Sequence, residues 1–172
     1  MFSHPFDYVI GSIHLVNSRD PYYPSFFEGR EELTAYREYF ECVLQNLKSY
    51  TNFDSLGHLD YVVRYGPTKN ENYAWTQYQE ILDAILRILI KNEIALEVNT
   101  GGYKYGLGEP NPCADILKRY KELGGKLLTI GSDAHYSRDI GSGFDIAYDM
   151  LKSCNFKYYN IFRKRKPEFI QL

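Results

Sequence analysis

Residues 127–141, LLTIGSDAHYSRDIG, run from a short apolar segment into a Gly-Ser-Asp-Ala-His cluster. Asp133 and His135 are two positions apart, so in extended backbone their side chains project to the same side. A carboxylate and an imidazole so placed suit a hard or borderline divalent metal. The same pair also fits a turn Asp bonding backbone amides beside a surface His. The other histidines bear on the choice. There are four in all, and His14 and His58 also follow short apolar runs, in GSIH and GHLD. A lone strand-end His is usually packed and hydrogen-bonded. Three such elements aimed at one place need partners, because a buried polar ring without them is costly. His4, beside Pro5, reads as a surface residue.

Glu97 lies inside the apolar run IALEVNT, where a carboxylate needs a cation or donors. It is either a neighbour of a ligand or an acceptor for an imidazole proton. Asn99 faces the same way and can orient water or substrate. Asp60 can do similar work beside His58, or cap the following turn. Arg64 follows HLDYVV, and Arg138 comes shortly after the Asp-x-His pair. An Arg fork near a metal matches two phosphate oxygens, although each also fits a solvated surface Arg. Arg19 is a weaker candidate of the same kind. The basic run at 163–166 reads as solvated chain after the last strand, favouring an anion if it reaches the site. GGYKYGLG is not a phosphate loop of the Walker type, since no Gly-Lys-Ser/Thr follows its glycines.

The elements that must position these groups follow from periodicity. A strand is expected at 8–10, followed by an excursion rich in Pro and aromatics. Leu33, Tyr36, Phe40, Val43, Leu44 and Leu47 make the apolar stripe of a helix over 31–47. FDSLGHLDYVVRYG is a short apolar piece, and a helix is expected over 73–90. A strand at 94–98 leads to a helix with Asn111 as N-cap and Pro112 in its first turn. Its buried face is Ile116, Leu117, Tyr120 and Leu123, and Gly124-Gly125 ends it. KLLTIG is a strand, 144–151 belongs to a helix, and FKYYNIF is the final strand. The alternation predicts an α/β fold with parallel strands, either doubly wound or a barrel. His14, His58, Glu97 and Asp133/His135 all fall at strand C-terminal ends, which in a barrel converge on one mouth.

The 172 residues, 44% of them hydrophobic, suffice for one core and one domain. A net charge of -2 and a pI near 6.1 predict no broad attraction to nucleic acid. No apolar run is long enough for a membrane span. The opening MFSHPFDYVIGS lacks a basic segment followed by a separate apolar core, so no leader is expected. Three widely spaced cysteines, Cys42, Cys113 and Cys154, read as reduced thiols of a cytoplasmic protein.

Taken together, DYVIGSIH, GHLDYVVRYG, LEVNTGG and LLTIGSDAH resemble the later motifs of the polymerase and histidinol phosphatase family, nearest in texture to its histidinol-phosphate phosphatase branch. The resemblance runs over residues 7–162, and GSDAH after an apolar strand is its most specific part. It implies a distorted seven-stranded β/α barrel holding up to three divalent ions (Zn, Mn or Fe) at its mouth. It also implies hydrolysis of a small-molecule phosphate ester, L-histidinol phosphate. His14, His58, Asp133 and His135 would be metal ligands, with Asp133 and His135 also catalytic. Arg64 and Arg138 would bind substrate phosphate, while Glu97 and Asn99 would support the pocket. Family members begin with a His-x-His strand, further histidines and a bridging Glu, none of which is present. The chain is therefore expected to be a single, incomplete C-terminal barrel portion lacking about two strands, with exposed strand edges open to self-association. Another phosphoesterase activity and an inactive fragment with partial metal binding are the alternatives.

Overall fold

Four parallel strands run in sequence order, β1 (Ile10–Gly11), β2 (Ser55–Leu56), β3 (Ala95–Asn99) and β4 (Leu128–Gly131). The computed structural model that shows them describes residues 4–172. Residues 1–3, the start of the stretch read for a leader, lie outside the described residues. Ile10 pairs with Ser55, Ser55 with Ala95, and Leu96 with Leu128. Parallel pairing in chain order sets all four C-terminal ends on one side. That is the arrangement the strand-end histidines require.

Helices α1 (Glu32–Ser49), α2 (Gln79–Lys91) and α4 (Ala114–Glu122) lie between successive strands. On α1 the buried stripe is Ala35, Tyr36, Tyr39, Phe40, Val43 and Leu47. Leu33, expected inside, is exposed, and the stripe is centred on the tyrosines instead. α2 buries Leu82, Ile85, Leu86 and Leu89 at helical spacing. It begins at Gln79 rather than near 73, because Trp75–Tyr78 form a 3-10 turn. β3 is buried at every position, as a parallel strand covered on both faces must be. Glu97 and Asn99 are carried into the interior with it.

Two expectations about the elements are corrected, and one segment holds an element that periodicity did not indicate. Asn111 does not cap α4: Cys113 takes that place, and Asn111 is fully buried. The Gly-rich segment after β3 contains a short helix, α3 (Gly101–Lys104). The basic run at 163–166 is not loose chain after the last strand. It turns β5 (Tyr158–Arg163) back into a sixth strand, β6 (Lys166–Gln171), as an antiparallel hairpin. Lys164 and Arg165 have φ of 50° and 63°, the two left-handed residues of a tight hairpin turn. Arg165 also pairs with the buried Asp54 at 2.5 Å. The remaining helix, α5 (Phe144–Ser153), follows the site loop and buries Ala147 and Leu151. No helix among the described residues is long and apolar enough to cross a membrane.

α4 is tied to α2 by Arg119, whose Nε and Nη2 donate to the two Asp83 carboxylate oxygens at 2.8 and 2.6 Å. These bonds hold the Asp83 carboxyl below its ordinary pKa. A depressed carboxyl adds stability above its unfolded value and loses it as pH falls through the folded value. Asp83→Asn is expected to lower stability near neutral pH by about 1 kcal/mol, allowing for screening at this partly exposed pair. Urea unfolding at successively lower pH should show the gap between variant and parent closing in the acid range below the ordinary Asp pKa.

Candidate functional site

The imidazoles of His14 and His58 meet just beyond β1 and β2, with ring centroids 4.9 Å apart. Tyr61 packs against both, at 5.0 Å from His14 and 4.9 Å from His58. His14 is exposed and His58 buried. His58 has a φ of 27°, a left-handed bend that follows Gly57. Its backbone N–H donates to Glu97 Oε2 at 2.8 Å. Its ring Nδ1 is buried with no hydrogen-bond partner among the described residues. Burial, then the charges of Arg64 and His14, lower its pKa to about 4. The ring is therefore neutral near pH 7, the form that binds a metal.

Glu97 receives a second bond from Asn99 Nδ2, also on Oε2, at 3.0 Å. Burial raises its pKa, and these two donors work against that. It buttresses the backbone of His58 and lies next to β4 at Gly131. A Cβ at Gly131 would fall 2.2 Å from Glu97 Oε1, so the carboxylate fits only because that neighbour has no side chain.

Arg64 lies at the centre, its side chain 1% exposed. Nε donates to Asn111 Oδ1 at 2.6 Å, Nη1 to Asp133 Oδ2 at 2.6 Å, and Nη2 to Asn99 Oδ1 at 2.7 Å. The guanidinium also lies 4.9 Å from the Tyr105 ring centroid and 5.7 Å from that of Tyr61. The expected phosphate fork is thus turned inward, with all three nitrogens committed to protein acceptors. What Arg64 holds is Asp133, a left-handed residue with φ of 52°. Burial alone would raise the Asp133 carboxyl. The Arg64 bond and charge outweigh it, aided by His58 and His135, and its pKa lies below the ordinary value.

Asn111 and Asp60 complete the network. Asn111 Nδ2 donates to Asp60 Oδ1 at 2.5 Å, and the Cys113 N–H to Asp60 Oδ2 at 3.2 Å. Burial raises the Asp60 pKa to about 6, against the pull of Asn111, Cys113 and Arg64. Asp60 lies behind Arg64 in this network, and Asn111 belongs to the site rather than to a helix end. An Asn-Pro ahead of a helical run carries the same local signal in either role, so the residue was missed.

His135 and Arg138 stand apart from the buried network. His135 is exposed, and its Nδ1 lies 2.9 Å from the Asp133 carbonyl oxygen. A proton on Nδ1 makes this a bond and leaves the Nε2 lone pair available. Arg138 is on an exposed 3-10 turn, Ser137–Asp139, beside Asp139 and 5.2 Å from the Tyr136 ring centroid. Among the described residues, no three His, Cys, Asp or Glu side chains cluster closely enough to hold a metal ion. His14 and His58 nevertheless fit one side of a metal site: one ring is exposed, and the other holds a buried nitrogen without a partner.

Strand-end imidazoles beside an Arg-held Asp are the setting in which comparison with known proteins becomes informative. Residues 1–101 match the PHP domain, and the chain belongs to that family. A probable histidinol-phosphatase of Clostridium acetobutylicum is 36% identical over 155 residues, 88% of this chain and 59% of that protein. The histidinol-phosphatase of Lactococcus lactis is 36% identical over 155 residues, covering 90% of this chain and 57% of its own length. The crystal structure of histidinol phosphate phosphatase from Lactococcus lactis, complexed with zinc, L-histidinol and phosphate, superposes with a TM-score of 0.86 at 34% identity. That match covers 96% of this chain and 63% of the other. The chain thus spans well under the full length of these relatives.

Arg64→Lys puts one ammonium where three acceptors on separate segments now meet a planar fork. It is expected to lower stability by roughly 3 kcal/mol, the scale for breaking a buried ion pair. Urea unfolding of the metal-free chain would show it as a reduced midpoint with an unchanged slope.

Proposed function

We propose that this chain carries one side of a metal-dependent phosphate monoester hydrolase site, acting on L-histidinol phosphate to give L-histidinol and phosphate. The observation that carries the reading is the buried, unpartnered Nδ1 of His58, whose ring centroid lies 4.9 Å from that of His14, in a chain whose relative is complexed with zinc, L-histidinol and phosphate. The four-stranded sheet is read as part of a distorted seven-stranded barrel, and the protein as cytoplasmic.

His14 and His58 would hold one divalent ion, and Asp133 and His135 would contribute to others; imidazole and carboxylate donors suit zinc, manganese or iron. Bound metal supplies a water acidic enough to attack phosphorus at neutral pH and charge to stabilise the phosphate oxygens. The chain's own groups do the rest. Arg64 keeps Asp133 ionised and fixes its direction, so that Asp133 orients the attacking oxygen. Only where it is not committed to a metal would His135 instead carry a proton on Nε2 and donate it to the departing alkoxide. Arg138, on its exposed turn beside Asp139, would turn its fork toward phosphate oxygens. Glu97 and Asn99 hold the strand end and the His58 backbone in place.

A second reading is partial metal binding without turnover, favoured by the absence of a three-ligand cluster among the described residues. Phosphate release from L-histidinol phosphate, glycerol phosphate and a nucleoside monophosphate, measured with zinc or manganese, separates the two. The hydrolase reading expects preference for L-histidinol phosphate, abolition by a chelator, and a loss of about 100-fold or more in kcat for Asp133→Asn. Metal uptake with no release from any ester supports the second reading. Release that persists undiminished in Asp133→Asn removes the proposed role of that carboxylate.

A further inference from the structure

We propose that Asn111, with Asp60 behind it, is a positioning residue that fixes the plane of the Arg64 guanidinium and through it the Asp133 carboxylate. The inference rests on the hydrolase reading for its catalytic consequence, and on geometry alone for the positioning itself. Asn111 is 0% exposed and Asp60 2%, so neither meets substrate.

A side-chain amide can be reversed with almost no change in shape, so its orientation comes from its partners. Asn111 sits between two partners of opposite kind. The guanidinium only donates, while the Asp60 carboxyl oxygens stand as acceptors, Oδ2 already receiving the Cys113 N–H. Nδ2 therefore faces Asp60 and Oδ1 faces Arg64, at 2.5 and 2.6 Å. Reversal would set N–H against N–H and oxygen against oxygen. The Asn111 backbone is equally constrained, exchanging hydrogen bonds with Asn99 at 2.8 and 2.9 Å.

The consequence lies at the fork. Nη1 and Nη2 of Arg64 reach Asp133 and Asn99, which leaves Nε to set the tilt of the plane. Asn99 Oδ1 is held in turn by the Gly101 N–H at 2.9 Å. With bonds on three edges the guanidinium has no free rotation, and Asp133 Oδ2 takes its direction from it. Freed of the Nε bond, the plane pivots about the other two and the carboxylate moves with it.

The test uses the 15N-labelled chain and the side-chain Nε–Hε signal of Arg64, assigned by its disappearance in Arg64→Lys. Exchange of this proton with water is expected to be slow in the parent. Asn111→Ser should speed it roughly tenfold or more while backbone amide signals outside the site stay in place. Asp60→Asn leaves the Asn111 backbone bridge intact and should speed it by a smaller factor. It keeps the test decisive if Asn111→Ser does not fold. With metal added, both variants should lower kcat for L-histidinol phosphate by about tenfold or more with KM within about twofold. Unchanged Arg64 exchange in the folded variants overturns the positioning, and faster exchange with unchanged kcat overturns its catalytic consequence. If the parent releases no phosphate, the hydrolase reading fails, and the exchange measurement alone decides whether the pair sets the guanidinium.

Discussion

A guanidinium taken out of water must find acceptors for its N–H groups and a counter-charge. In this protein Arg64 finds them on three segments of the chain. Asn99 is at the end of β3, Asp133 just beyond β4, and Asn111 in the segment leading to α4. Because the cation cannot be left unpaired at this depth, those segments must come together for the interior to be satisfied. The same bonds keep the C-terminal ends of β3 and β4 in register with the turn after β2. The fold and the site therefore share one constraint.

Two carboxylates and a neutral ring are arranged around that cation with different results. Asp133 has a direct bond to Arg64, which overcomes its partial burial and keeps it ionised. Asp60 lies a residue further back, reaches the cation only through Asn111, and its pKa is raised to about 6. His58 shares the surroundings and is held neutral. Burial pushes both Asp60 and His58 toward their neutral forms, and only the carboxylate bonded directly to the cation has that push overcome.

The placement of His14, His58 and Asp133 is legible in the chain because a short apolar run stops just before each of them, while Glu97 stands out as a carboxylate inside such a run. Parallel pairing in chain order then does what alternation of strands and helices implies. The direction in which Arg64 points is not legible: GHLDYVVRYG locates the residue but not whether its fork faces solvent or the interior. That depends on Asn111, whose partners are distant in sequence and whose local signal is that of a helix cap. β6 is hidden for a related reason. Its turn uses Lys164 and Arg165 where Asn-Gly is usual, and Pro167 weakens the strand pattern, yet it is tolerated opposite Phe162 on an edge strand.

The Arg64–Asp133 bond also bears on how a carboxylate can serve a metal while already paired. A carboxylate shared with an Arg is a weaker donor than a free one, because part of its charge is taken up by the guanidinium. In return its direction is set, since a donor on Oδ2 leaves Oδ1 aimed along one line. Outer bonds of this kind orient ligands and tune their basicity. Asp133 also sits at φ of 52°, a left-handed bend that Asp tolerates better than most residues. As a ligand, a carboxylate held this way would give up some intrinsic affinity for a cation in exchange for direction. Under the proposed hydrolysis direction is what counts, since the attacking oxygen must be aligned with phosphorus before it can react.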